Sequence, residues 1–286
     1  MAAPDVDPWL AALRELGTPE RATFEKGYLK SSLEHVGVKV PDVRKVARRL
    51  CREHPRLDVA ELVALTEALW ARGIYELRSL AVFVLERRRS SFDDSSMAFF
   101  EATLRKCGTW ALVDTLAISV VGDVVCRFDA AKPALAHWAV HEDFWLRRAS
   151  VLALLGAWRR GASFDEARFT AFAVPMLEET EFFVRKGLGW VLRDLSKKEP
   201  GFPAAFLLAH RDRVSGLTLR EGAKHLPDDV REALGLSQAP VSTSSPAQAP
   251  KRVSIDAHGP PRSPTKPSTA ATATPPSGSK GAFTAA

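Results

Sequence analysis

The stretch Phe182–Pro200, FFVRKGLGWVLRDLSKKEP, decides the fold class. On a helix of about 3.6 residues per turn, Val184, Leu188, Val191 and Leu195 line one face. Lys186, Trp190, Arg193 and Lys197 line the opposite face. One side is built for a core. The other presents an aromatic among three cations, which suits a phosphate backbone with a sugar or base beside it. A solvated face whose Trp packs on a neighbouring helix accounts for the same spacing, and the segment alone favours that reading slightly.

On both sides of this stretch the pattern repeats. Apolar residues recur every three or four positions through residues 1–236, with no run of strand-like alternation. Helices are expected near 8–16, 19–29, 41–53, 58–71, 74–89, 93–106, 110–126, 130–140, 143–159, 164–177, 182–198, 201–211, 216–225 and 227–235. Breakers separate them, among them Gly17-Thr18-Pro19, Gly37, Gly73, Gly108-Thr109, Gly161 and Pro200-Gly201. The fold class is all-α. Short helices with short links suggest an α-solenoid of HEAT-like repeats, whose period is about 40–47 residues, with a concave binding surface. A compact helical globule is the competing architecture.

From Ser237 the composition changes to Pro, Ser, Thr, Ala and Gly, with few large apolar residues. Such a segment cannot bury enough surface to offset its ordering entropy. The chain therefore divides into a helical domain, 1–236, and a disordered tail, 237–286. The formal charge is +6 and the pI about 9.4, which points to an acidic partner. The tail carries five cations (Lys251, Arg252, Arg262, Lys266, Lys280) against Asp256, so about +2 remains for the folded part. A nucleic-acid site must come from clustering of charge. Three scattered cysteines, Cys51, Cys107 and Cys126, form no CxxC pair and fit a reducing cytoplasm. No membrane span and no signal peptide are expected.

Two constellations carry chemistry. Trp110 and Asp114 stand four apart, so they are neighbours on a helix. Val113, Ala117 and Val121 surround Asp114 with apolar side chains. A carboxylate there needs a partner or a cleft. Taken alone, Asp114 reads first as the cap of a helix beginning at Thr115. Arg148 lies among Phe144, Leu152 and Leu155 on an apolar helix and must find an anion, either Asp114 or a phosphate. His137 and His141 have the i, i+4 spacing of metal-binding helices, but no HExxH and no third ligand is evident in the sequence, so no metal is expected. P-loop, GxGxxG and GxSxG patterns are absent, and no cofactor is expected.

With these residues the chain resembles the DNA alkylation repair glycosylases of the AlkD family. The matching motifs are YLK at Tyr28–Lys30 with Gly37 and Pro41, TWALVD at Thr109–Asp114 and WLRR at Trp145–Arg148. The Phe182–Pro200 stretch and LREGAKHL at Leu219–Leu226 complete them in order. The resemblance covers most of residues 20–226. It implies a HEAT-like solenoid with a basic concave groove for duplex DNA. It also implies excision of cationic alkylpurines such as 3-methyladenine and 7-methylguanine, with the damaged base left stacked.

By that resemblance Trp110, Asp114 and Trp190 line the catalytic cleft and Arg148 sits beside it. Tyr28, Arg193, Lys197, Arg220 and Lys224 touch the DNA backbone, with Lys39, Lys186 and Lys198 counted among the DNA-binding cations. Thr109 stands where many relatives carry a second Trp, and Lys39 where they often carry an uncharged polar residue. A monomer suffices for such a groove. Two other classes remain open: a catalytically silent DNA-binding solenoid and a protein-interaction scaffold.

Overall fold

The structure is a computed structural model that describes residues 4–236. The expected tail, 237–286, lies outside the described residues. The described residues are all-helical and form a solenoid-like helical-repeat fold. They contain no strand, and one isolated bridge joins Glu34 to Ile74.

In chain order the first helices are α1 Asp7–Arg14, α2 Pro19–Leu29, α3 Val40–Glu53, α4 Val59–Ala71, α5 Tyr75–Arg87 and α6 Met97–Arg105. Next comes α7, one rod in three parts: Trp110–Thr115, Leu116–Val121 with π-type bonding, and Gly122–Arg127. The rest are α8 Lys132–Ala139, α9 Phe144–Trp158, α10 Glu166–Ala173, α11 Phe182–Ser196, α12 Gly201–Ala209, α13 Gly216–Gly222 and α14 Asp228–Ala233. The expected boundaries hold to within a few residues. The expected helix 164–177 ends in a separate 3₁₀ turn at Val174–Met176, and the one at 93–106 begins with another at Asp94–Ser96.

Local chemistry explains the starts. Thr18 accepts the Arg21 N–H with Pro19 at the first position of α2. Asp58 and Glu61 form a capping box on α4, and Asp143 caps α9. Gly108, at φ +67, takes the left-handed turn that ends α6 and leads into α7.

The reading of Asp114 as a cap is corrected. Helix α7 begins at Trp110, with Thr109 at the cap position, so Asp114 lies inside it and is buried. The cap preference is local, whereas here the preceding Gly108 turn starts the helix earlier.

Helix α9 is buried almost all round and packs on α6, α7, α8, α10 and α11. Its crossing with α7 brings backbones together. A Cβ on Gly122 would sit 2.5 Å from the Ala153 carbonyl oxygen, and one on Gly156 would sit 2.6 Å from that of Ile118. Side-chain bonds reveal the repeat. Thr218 donates to the Arg185 carbonyl 33 residues away, Arg159 to Asp194 at 35, Trp138 to Glu101 at 37 and Trp158 to Glu199 at 41. These ties span 33–41 residues, at and just below the lower end of the expected period of about 40–47 residues.

Candidate functional site

The four expected cleft residues are carried by three helices, Trp110 and Asp114 on α7, Arg148 on α9 and Trp190 on α11. Arg148 on α9 turns its guanidinium toward α7 and donates twice to Asp114, Nε to Oδ1 at 2.8 Å and Nη2 to Oδ2 at 2.9 Å. Its remaining arm, Nη1, donates to the Phe183 carbonyl at the head of α11. Asp114 is 1% exposed and Arg148 3%. The two charges need each other there, since an unpaired buried ion is costly. Gly187 on α11 makes the room: a Cβ on it would lie 3.1 Å from Arg148 Nη1.

Aromatic rings frame this pair. The Arg148 guanidinium carbon lies 5.9 Å from the Trp190 ring centre, and that of Arg159 lies 5.6 Å from it. Each is a cation–π placement, so two positive groups lie within about 6 Å of the ring centre. Trp110 opens α7 one turn before Asp114 and is half-buried. Tyr28 from α2 meets Trp110 edge-on at 6.0 Å, and Phe24 stacks on Tyr28 at 6.1 Å and 7°. Phe24 and Tyr28 are both exposed, so an aromatic rim runs from solvent to Trp110.

The face of α11 follows its spacing. Val184, Leu188, Val191 and Leu195 are buried, and Trp190 is half-buried on the other side. The cations there are not equivalent. Lys186 and Arg193 both pair with Glu221 of α13, and Lys197 pairs with Asp194 at 2.7 Å. Burial lowers Lys186 and Arg193 below their ordinary values. Lys198 lies over Trp158 at 5.2 Å. Lys39, Arg220 and Lys224 are exposed, with no acidic partner among the described residues.

A family model for DNA alkylation repair enzymes matches residues 9–226. The chain belongs to the DNA alkylation repair enzyme family. This repair-family member therefore acts in the repair of alkylated DNA, with DNA as its substrate or partner. No curated protein sequence matches it. In fold it is similar to a solved structure described as a predicted DNA alkylation repair enzyme from Enterococcus faecalis. The TM-score is 0.65 at 24% identity, covering 73% of this chain and 96% of that one.

Sequence reasoning passed over several participants in this family member. Glu221 is an acid in a short polar helix, and nothing in the sequence says that it meets Lys186 and Arg193. Phe24 and the Phe183 carbonyl carry no motif of their own. The statement that His137 and His141 lack a third ligand is corrected: Glu101, on the preceding repeat, lies within 4.8 Å of both. Among the described residues no helix is long and apolar enough to cross a membrane. The three cysteines are unpaired, with Cys51 and Cys107 buried and Cys126 exposed.

Proposed function

We propose that this chain is a DNA glycosylase of the AlkD type. It hydrolyses the N-glycosidic bond of cationic alkylpurines, such as 3-methyladenine and 7-methylguanine, in duplex DNA, without flipping the base and as a monomer. The observation that carries the reading is the buried Arg148–Asp114 pair set against Trp190, with Trp110 at the head of the same helix as Asp114.

The chemistry follows from the substrate. An alkylated purine already bears positive charge, so it leaves as a neutral base when the bond from C1′ to nitrogen breaks. The sugar gains oxocarbenium character, as in glycoside hydrolysis. Water adds at C1′, leaves a hydroxyl there and gives up its proton to surrounding water. Asp114 supplies fixed negative charge for the sugar and orients that water. Arg148 occupies one lone-pair direction on each carboxylate oxygen and leaves one on each for this work. The faces of Trp110 and Trp190 add negative quadrupole charge toward the cation. No acid is needed to protonate the leaving base.

Tyr28, Lys39, Lys186, Arg193, Lys197, Lys198, Arg220 and Lys224 form the DNA-contacting set in a basic concave groove. The unpaired cysteines suit a cytoplasmic setting.

One observation favours a second reading, a silent DNA-binding solenoid: both Asp114 oxygens are engaged and the carboxylate is nearly sealed from solvent. The two readings separate on methylated duplex DNA. A glycosylase releases free methylated bases. A silent binder holds the same duplex with steep salt dependence and releases none.

A further inference from the structure

Behind α2, away from the aromatic rim, three polar side chains from separate segments converge. Glu25 sits on the inner face of α2, Glu76 in the first turn of α5, and His35 in the loop between α2 and α3. One donor atom from each lies within 4.8 Å of the other two. Glu25 is 94% buried and Glu76 wholly so.

Their hydrogen bonds are lopsided. Glu76 Oε2 accepts the Val36 N–H at 2.9 Å, and its Oε1 accepts those of Gly37 and Val38 at 2.6 and 3.2 Å. Glu25 Oε1 takes Arg21 Nη2 at 2.5 Å. Glu25 Oε2 and both ring nitrogens of His35 are buried and have no hydrogen-bond partner. The His35 ring is fixed by stacking on Tyr75 at 4.6 Å and 14°. Orphaned buried polar atoms are rare in folded proteins, and each demands an explanation. Here Glu76 is held by three backbone N–H groups and Glu25 Oε1 by Arg21, while Glu25 Oε2 and the His35 ring beside them are left without a partner.

We propose that Glu25, His35 and Glu76 bind one divalent transition-metal cation, with Zn²⁺ as the type ion. An imidazole and two carboxylates form a donor set that Zn²⁺ accepts. Neither ring nitrogen of His35 has a hydrogen-bond partner, so the imidazole has a donor atom to give. Glu25 Oε2, also without a partner, supplies a second free donor atom. Tetrahedral zinc donors stand about 3.4 Å apart, from bond lengths of about 2.1 Å. The donors would close inward by about 1.4 Å at most.

The Glu101–His137–His141 cluster differs in its unpartnered atoms, although donors in both clusters carry hydrogen bonds, such as Trp138 Nε1 to Glu101 Oε2 at 2.7 Å and the Asp143 N–H to His141 Nδ1 at 2.9 Å. None of its three side chains contains an orphaned buried atom. The ion would tie α2 to α5 and so hold Phe24 and Tyr28 beside Trp110, independently of the reaction performed there.

The test uses the full chain without an affinity tag, stripped with chelator and dialysed against Zn²⁺. Metal content by mass spectrometry and thermal melting are read for wild type, Glu25→Gln, His35→Gln and His137→Gln. The expected result is about one bound zinc per chain and a higher melting temperature in wild type. Glu25→Gln and His35→Gln should bind at least about tenfold more weakly, and His137→Gln as wild type. Should Glu25→Gln fail to fold, His35→Gln still decides, since its side chain has no hydrogen bond to lose. Wild type with no metal above background would overturn the proposal. So would loss of zinc in His137→Gln but not in His35→Gln.

Discussion

At the scale of the residue, Arg148 and Asp114 hold two roles that mutation can separate. Arg148→Met leaves Asp114 as a lone buried charge, which costs about 3–5 kcal/mol. Asp114→Leu with Arg148→Met removes both charges and should recover most of that stability while remaining inactive. Chemical denaturation of the two variants beside wild type measures this; equal instability in single and double variants would show that the pair does not carry the cost. The sequence revealed this pair because each ion sits in an apolar stripe and had to find a partner. It misled over the cap, because Asp favours helix starts locally, and only the turn at Gly108 shows that α7 begins at Trp110. Glu221 stayed hidden for another reason. Its side chain meets Lys186 and Arg193 only after α13 packs on α11.

At the scale of the element, the crossing of α7 and α9 sets the geometry of the site. Gly122 and Gly156 let the two backbones touch, and the π-bonded segment Leu116–Val121, which follows Asp114, forms part of that crossing through Ile118. Gly156→Val would drive a side chain into the Ile118 carbonyl. It should cost about 1–3 kcal/mol or more and lower base release with it, read by thermal melting and a release assay on the same protein. Glu221 offers a second test. Glu221→Gln frees Lys186 and Arg193 from their shared acid, so duplex binding should tighten at low salt. The slope of log affinity against log salt should steepen by about 1–2 units. An unchanged slope would remove these two cations from the DNA-contacting set. Helix positions were legible from Gly and Pro breakers and capping residues. The π turn and the 3₁₀ turns were not, because their hydrogen bonding follows from packing more than from local propensity.

At the scale of the whole described region, ties between successive repeats carry both stability and its pH dependence. Arg159 links α9 to Asp194 on α11, at 2.5 Å, and Lys197 holds the other oxygen. Burial raises the Asp194 carboxyl, and Lys197 and Arg159 together outweigh it, so the group sits below the usual carboxylate value. A lowered carboxylate contributes stability that is complete above its unfolded value, 3.8, and is lost as pH falls through its folded one. Asp194→Asn should therefore shrink the stability difference between pH 7 and acid, read as the shift in denaturation midpoint. The solenoid class was legible because helix after helix showed the same periodicity. The register of the repeats was not legible, since weak identity between units hides it, whereas ties 33–41 residues apart join one unit to the next.

The most direct test of the central claim is single-turnover release of 7-methylguanine from a duplex carrying one such lesion, wild type beside Asp114→Asn, with folding of both checked by circular dichroism. The account predicts release by wild type and a loss of about 10²–10³-fold in the variant, the scale of removing a preorganised electrostatic group. Equal rates in the two folded proteins, or no release by a wild type that still binds the duplex, would contradict it.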